Sequence, residues 1–356
     1  MHPSMGRARS GAGAGGFAVY LLVRGFGAFI NLLSEKRALW VGRLMGRLFF
    51  RIDRQRRNLA IANLGIAFAR EKSQQEIEAI AKATFQNLGM TAVEFFRIPR
   101  LDEVTFRRKV KVEGMEIAEK LLNDGRKGIL LLLCHFGNWE LMGMMSKVIG
   151  KPIAVIARPI KKNPWLNEMV DSVRRHAGLE VISKENASRK VFQALSRNRV
   201  VGILIDQRAK RGEGLWVDFF GKKAPTTPAL AVLAMRTGTP VLPAFMVRDN
   251  LRPGEHHLIL LEPLTLLTTG DVKKDVESNT LRMNQVLETM IRRYPDQWFW
   301  VHSRWERKKW TRSGQSCQAG ADGLSLSEKG QIPEGKPFEQ IAPDKVRGAT
   351  TASESR

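Results

Sequence analysis

The chain is predicted to fold as an α/β domain, a mixed central sheet flanked by helices, behind an N-terminal membrane-anchoring helix. Three observations predict it. Short apolar runs of strand length alternate with helix-periodic segments through the middle of the 356 residues. One of these runs, 128–134, is apolar throughout, the pattern of a strand buried on both faces. A further apolar stretch, 17–33, stands ahead of all of them and is followed by a cluster of basic residues.

Taken in order, the 17–33 segment is borderline for a bilayer span, which needs roughly 20 apolar residues, and Arg24 interrupts it. No small-residue cleavage site follows it, which disfavours a signal peptide. Leu39, Trp40, Leu44, Leu48 and Phe49 then recur at helical spacing among Lys36, Arg37, Arg43, Arg47, Arg51, Arg54, Arg56 and Arg57. Such a basic amphipathic helix suits an anionic lipid surface, although an ordinary solvated helix has the same spacing. Helices are expected over 76–96, 114–123, 164–177, 187–196, 228–236 and 275–293. Strands are expected over 128–134, 152–157, 180–183, 200–205, 241–247 and 257–261. The last stretch, 311–356, has six basic and six acidic residues, no periodic apolar face and the composition of a disordered tail.

The net charge of +23 is therefore carried entirely before residue 311 and implies a polyanionic partner. No zinc-finger or RNP-type signature directs that charge to nucleic acid. Two cysteines, Cys134 in an apolar strand and Cys317 in the polar tail, cannot form a disulfide framework and fit a reducing compartment.

His135-Phe136-Gly137-Asn138-Trp139-Glu140 follows the 128–134 strand directly. A histidine at the C-terminal end of a buried strand stands where open α/β sheets place their ligands. With His135 still extended and Glu140 on the first helical turn, Gly137 lets the backbone fold back so that the two meet. The carboxylate would then hold one imidazole nitrogen and leave the other free to take a proton. Spacing alone leaves open a core histidine with an acid nearby by chance. The H-x4-E spacing is not that of a zinc-binding helix, so no metal is expected. His176, His256, His257 and His302 lack this register after a strand. Arg158 follows one strand and Asp206 another, with Gln207, Arg208, Lys210 and Arg211 close behind. Arg158 suits a phosphate or an oxyanion, or is a surface arginine; Arg208, Lys210 and Arg211 suit an anionic head group or the phosphopantetheine of a carrier, or form a flexible basic loop. Trp298, Trp300, Trp305 and Trp310 crowd the end of the domain, where they read either as an interfacial belt or as core.

Several ordered blocks resemble the bacterial lipid A biosynthesis lauroyl/myristoyl acyltransferases, within the lysophospholipid acyltransferase-like superfamily. The H-x4-E box is that group's catalytic signature. Ala157-Arg158-Pro159 with Asn163-Pro164 is similar to the second block, and Gly202-Ile203-Leu204-Ile205-Asp206-Gln207 to the third. Val217-Asp218-Phe219-Phe220-Gly221-Lys222 with Ala224-Pro225-Thr226, then Gly238-Thr239-Pro240-Val241-Leu242-Pro243, follow in the family's order. Tyr294-Pro295-Asp296-Gln297-Trp298-Phe299-Trp300-Val301-His302-Ser303-Arg304-Trp305 resembles the closing block.

The resemblance implies transfer of a fatty acyl chain from acyl carrier protein to a hydroxyl of a Kdo-bearing lipid A precursor, in lipopolysaccharide biosynthesis. It implies a catalytic pair, His135 and Glu140, with Asn138, Arg158, Asp206, Gln207 and Arg208 binding substrate. No cofactor is expected. The Gly137-Asn138 turn or Arg158 would stabilise the oxyanion. The expected organisation is a flexible N-terminus (1–16), an anchor with a basic helix (17–58), an acyltransferase domain (59–310) and a disordered tail (311–356). The expected location is the cell inner membrane, with the catalytic domain on the cytoplasmic side because the basic cluster follows the anchor. The expected partners are the carrier protein, a glycolipid acceptor and anionic membrane, without nucleic acid. The alternative acceptor reading is a phosphatidylinositol mannoside or lysophospholipid acyltransferase using acyl-CoA. A non-catalytic basic membrane-peripheral protein explains the charge but not the ordered blocks.

Overall fold

The computed structural model describes residues 13–125, 127–183 and 187–305. The expected tail, Trp310 and the first 12 residues lie outside them. Four helices come first: α1 (Ala14–Leu32), α2 (Glu35–Ile52), α3 (Arg54–Phe68) and α4 (Gln74–Arg97). The anchor boundary expected at residue 58 falls inside α3. Asp53 caps α3 by accepting from the Arg56 N–H. Ser73 and Glu76 form a capping box at the start of α4, which satisfies two of the N–H groups a helix start leaves open.

Then follow α5 (Glu103–Lys109), β1 (Val110–Glu113), α6 (Met115–Asn123), β2 (Ile129–Leu133), α7 (Met145–Val148) and β3 (Ile153–Ala157). Next come α8 (Pro164–His176), β4 (Leu179–Ser183), α9 (Ala187–Ser196), β5 (Val200–Leu204) and a hairpin, β6 (Leu215–Phe219) with β7 (Lys222–Thr226). The domain closes with α10 (Ala229–Thr237), β8 (Val241–Arg248), β9 (His256–Leu260) and α11 (Val272–Arg293).

The main sheet has seven strands in the order β1-β9-β8-β2-β5-β3-β4. Strand β9 runs antiparallel to β8, and every other neighbouring pair is parallel, so the sheet is mixed as expected. All five residues of β2 are buried, which is what a central strand covered by helices on both faces requires. One core layer holds Leu130, Leu132, Val201 and Ile203 against α3, α10, α11 and the closing segment. The opposite layer holds Leu131, Leu133, Met144 and Leu242.

Helices α2 and α4 lie backbone to backbone. A Cβ on Gly89 would stand 2.1 Å from the Gly42 carbonyl oxygen, and one on Gly46 would stand 2.2 Å from that of Phe85. Only glycine permits this approach, and it locks α2 onto the catalytic domain. The outward side of α2 then exposes Trp40, Leu44, Leu48, Phe49 and Ile52, whereas Leu39 is buried. Helix α1 is long and apolar enough to cross a membrane, by length and composition, and only 11% of it is buried.

Trp298, Trp300 and Trp305, the described tryptophans of this cluster, are core and not an interfacial belt. Trp298, Trp300 and Trp305 are at most 2% exposed. Asn63 on α3 holds the segment by donating to the carbonyls of Trp300 and His302, both at 2.7 Å. Arg304 is wholly buried, donates to the Pro225 carbonyl and the Thr226 hydroxyl, and lies 4.8 Å over the Phe219 ring. Burial lowers its pKa to about 10, against the opposing pull of Asp206 and then Glu288.

A chain ending at residue 293 is therefore expected not to fold. Losing a buried aromatic costs about 3–5 kcal/mol, and three tryptophans together approach or exceed the ~5–15 kcal/mol of net stability usual for a domain. A chain ending at residue 312 keeps all three and is expected to fold and to transfer acyl groups. Circular dichroism melts and an acyl-transfer assay on both chains check this.

Candidate active site

The sheet brings His135 and Asp206 together. Strands β2 and β5 are parallel neighbours, with Leu133 opposite Leu204. Two residues further along each strand stand His135 and Asp206, both past the C-terminal edge. Asp206 Oδ1 lies 2.9 Å from His135 Nδ1, and its other oxygen accepts the His135 backbone N–H at 3.0 Å. Trp298 Nε1 donates to that same oxygen at 2.9 Å. The carboxylate is 2% exposed, so it is not available to a substrate head group. In the structure this carboxylate, expected as a substrate-binding residue, holds the histidine.

The expected contact between His135 and Glu140 is not made. Glu140 lies in the 3₁₀ helix Trp139–Met144 and gives both oxygens to Arg174 of α8, at 3.1 Å to Nε and 2.7 Å to Nη2. The reason is the shape of the turn. Gly137 has φ +55°, and the backbone leaves it in a direction that carries Glu140 towards α8. A Cβ at Gly137 would stand 1.8 Å from the Met246 carbonyl oxygen, so both conformation and space demand glycine. Glu140 acts on His135 through its charge rather than through contact.

Electrostatics follow from these placements. Burial pulls the His135 pKa down, but the Asp206 charge and hydrogen bond, with a further contribution from Glu140, outweigh it and raise the pKa above its ordinary value. Burial alone would raise the Asp206 pKa; the His135 charge and the hydrogen bonds from His135 and Trp298 hold it below the usual range. Cys134, one residue before the histidine, is buried. Burial, then the Asp206 charge, push its thiol well up, which makes it a poor nucleophile.

With Nδ1 committed to Asp206, Nε2 is the nitrogen presented to a reactant. His135 sits between the rings of Trp139 and Phe299, at centroid distances of 5.2 Å and 5.7 Å. Gln207 Nε2 lies 3.3 Å from His135 Nε2. The Arg208 backbone N–H donates to His302 Nε2 at 3.3 Å. The His302 pKa is lowered by burial, which outweighs the pull of Asp206 and is aided by the charges on His135, Arg208 and Arg304. A neutral His302 is what this acceptor role needs.

The remaining expected residues fall elsewhere. Asn138, expected to bind substrate, is wholly buried and donates to Glu94 at 2.8 Å. In the turn expected to offer oxyanion donors, the Gly137 N–H donates to the Gln297 carbonyl and the Asn138 N–H to that of Met246. Arg158 lines a groove at the β3–β4 edge with Pro152, Asp171, Arg175 and Glu180. Arg174 was not among the expected residues, since nothing in its local sequence separates it from Arg175 beside it. Among the described residues, no group of three or more His, Cys, Asp or Glu side chains is placed to hold a metal ion.

Residues 16–307 match the family described as bacterial lipid A biosynthesis acyltransferase. The chain is 24% identical over 280 residues to lipid A biosynthesis acyltransferase 2 of Shigella flexneri, covering 79% of this chain and 86% of the relative. It is 26% identical over 269 residues to the lipid A biosynthesis lauroyltransferase of Escherichia coli, covering 74% and 83% of the two chains. It is 26% identical over 228 residues to a phosphatidylinositol mannoside acyltransferase of Mycobacterium tuberculosis, covering 63% and 69%. A histidine held by a buried aspartate at the centre of a mixed sheet, in a chain matched over most of its length, makes this protein an acyltransferase that belongs to the bacterial lipid A biosynthesis acyltransferase family.

Proposed function

We propose that this enzyme transfers a fatty acyl chain from an acyl carrier protein thioester to a hydroxyl of a Kdo-bearing lipid A precursor. The observation that carries the chemistry is the 2.9 Å contact between His135 Nδ1 and Asp206, which leaves Nε2 as the free base. His135 Nε2 removes the acceptor hydroxyl proton as the oxygen attacks the thioester carbonyl. The tetrahedral intermediate collapses with cleavage of the C–S bond, and the imidazolium returns the proton to the leaving thiolate. Asp206 stabilises the imidazolium and fixes the tautomer. Glu140 adds negative charge nearby and holds Arg174 beside the reacting groups. Gln207 occupies the place at Nε2 that the acceptor hydroxyl needs, so acceptor binding displaces its amide.

The membrane delivers the acceptor in this reading. Helix α1 and the exposed apolar residues of α2 lie against the cytoplasmic face of the inner membrane. Lys36, Arg37, Arg47 and Arg51 are exposed beside them and meet anionic head groups. The basic surface also steers an acidic carrier protein by long-range attraction. The mannoside relative supports a second reading, in which the acceptor is a phosphatidylinositol mannoside and the donor acyl-CoA.

Mass spectrometry of lipid A from cells with and without this protein tests the proposal. One acyl chain is expected to be missing from lipid A without it. Purified enzyme offered both donors and both acceptors then separates the readings. Unchanged lipid A, with transfer only to the mannoside, would overturn the lipid A assignment.

A further inference from the structure

Behind the catalytic turn lies a buried charged cluster that plays no part in the proton transfer. Glu94 of α4 is 8% exposed, Arg248 at the end of β8 is 2% and His256 at the start of β9 is 1%. Arg248 grips Glu94 with two nitrogens, Nη1 to Oε1 at 3.0 Å and Nη2 to Oε2 at 2.6 Å. His256 Nε2 lies 3.0 Å from Glu94 Oε1. Burial alone would favour the neutral acid, but the charges on Arg248 and His256 hold the Glu94 pKa far below the usual carboxylate range. The two cations thus favour the ionised carboxylate.

This cluster reaches the catalytic turn by two side chains. Asn138 Nδ2 donates to Glu94 Oε2 at 2.8 Å. Thr91, one helical turn before Glu94, donates to the Gly137 carbonyl at 3.1 Å and accepts from Arg248 Nη2 at 3.1 Å. A third link runs through Gln297. Its side chain accepts the Arg248 backbone N–H at 2.8 Å and donates to the Arg248 carbonyl at 2.9 Å. Its own carbonyl accepts the Gly137 N–H.

We propose that Glu94, braced by Arg248 and His256, is a positioning residue that fixes the turn through Asn138 and so aims His135 at one end and Glu140 at the other. This rests on the acyl-transfer reading above. The physical argument is one of cost. A buried ion pair is a poor source of stability, because desolvation offsets most of its attraction, and apolar residues of like volume often serve as well. Its return here is directional. Gly137 has no side chain and a left-handed backbone, so the turn has little stiffness of its own. The N–H groups of Gly137 and Asn138 and the Gly137 carbonyl all bond to elements tied to the cluster, while the Asn138 carbonyl accepts the Leu141 N–H within the turn. Helix α4 is also the helix on which α2 is locked by Gly42, Gly46 and Gly89. The same rigid helix thus spans from the outer helical layer to the catalytic turn. A misplacement of about 1 Å costs on the order of 10²-fold in rate, without weakening substrate binding to match.

The test uses the full-length enzyme and two variants. Asn138→Ala cuts the link and leaves the ion pair whole. The double variant Glu94→Met with Arg248→Met replaces the pair by apolar side chains. Both are compared with wild type for kcat, for KM of each substrate, and for melting temperature. The expected result is a fall in kcat of about 10- to 100-fold with both KM values within about twofold, including in any variant that melts like wild type. A folded Asn138→Ala enzyme with wild-type kcat, or one whose whole loss is in KM, would overturn the inference. If the double variant does not fold, Asn138→Ala decides alone. If wild type itself transfers to neither acceptor, the acyl-transfer reading has failed. The inference is then judged on the His135 imidazole resonances of the ¹⁵N-labelled protein. Asn138→Ala is expected to shift them, and unchanged resonances overturn the positioning role.

Discussion

His135→Ala is expected to lower turnover by about 10²–10⁴-fold while leaving the fold intact. The side chain contributes one hydrogen bond to Asp206 and two ring contacts, and it is 22% exposed, so its removal opens little of the core. What is lost is the only imidazole whose one nitrogen is held by a buried carboxylate while the other faces Gln207 among the described residues. Turnover is measured with the lipid A precursor and acyl carrier protein thioester, and folding by thermal melt. A well-folded variant with near-normal turnover would remove His135 from the mechanism. Glu140→Ala is expected to act in the same direction by another route. It frees Arg174 from its bidentate partner and removes a charge that helps to raise the His135 pKa.

Asp206→Asn has the second large expected effect, and it carries a pH signature. The base works when neutral, so kcat/KM rises as pH passes upward through the His135 pKa of the free enzyme. In wild type that pKa is raised above the ordinary 6.5, because the Asp206 charge and hydrogen bond, together with Glu140, outweigh burial. Without the Asp206 charge, burial is the strongest remaining influence, and it favours the neutral imidazole. The acid limb is therefore expected to move to lower pH in the variant. At the plateau, turnover is expected to fall on the order of 10²–10⁴-fold, because the imidazolium loses its counter-charge and Nδ1 loses its fixed acceptor. A full kcat/KM profile between pH 5 and 9 checks both parts. An acid limb that stays in place would show that Asp206 does not set the basicity of His135.

Much of the architecture was legible in the chain alone. The strands at 128–134, 152–157, 180–183, 200–205, 241–247 and 257–261 all form, within about a residue or two at each end. They are legible because buried strands are nearly continuous apolar runs. The helices over 76–96, 164–177 and 275–293 were legible because they carry 3.6-residue periodicity; the last begins earlier than expected, at Val272, where Asp271 caps it. Strand β1 is not legible in the sequence because it has four residues, Val110-Lys111-Val112-Glu113, and lies at the sheet edge, where half-polar alternation resembles a loop. The β6–β7 hairpin was obscured by Lys222, Lys223 and Pro225, which look like turn chemistry in isolation. The closing tryptophans could not be assigned, because an aromatic cluster looks the same at a membrane and in a core; their packing against α3 and the hairpin decides for the core.

The catalytic site divides in the same way. The sequence by itself determined that a histidine stands at the end of a central strand, that a glycine follows where the chain must turn, and that an aspartate ends another buried strand. Those are local facts, set by apolar runs and by the residue at their edge. Only the tertiary structure decided which carboxylate meets the histidine. Glu140 is five residues away but is turned towards Arg174 by the left-handed backbone at Gly137. Asp206 is 71 residues away but lies opposite His135, because β2 and β5 are parallel neighbours in register. Spacing along the chain constrains what neighbours can do, whereas strand order sets which distant residues share an edge, and no local pattern encodes that order. Asn138 shows the converse. Its place in the box suggested a substrate contact, but it points inward to Glu94, because an ion pair assembled from α4, β8 and β9 offers a buried acceptor that only the folded chain brings together.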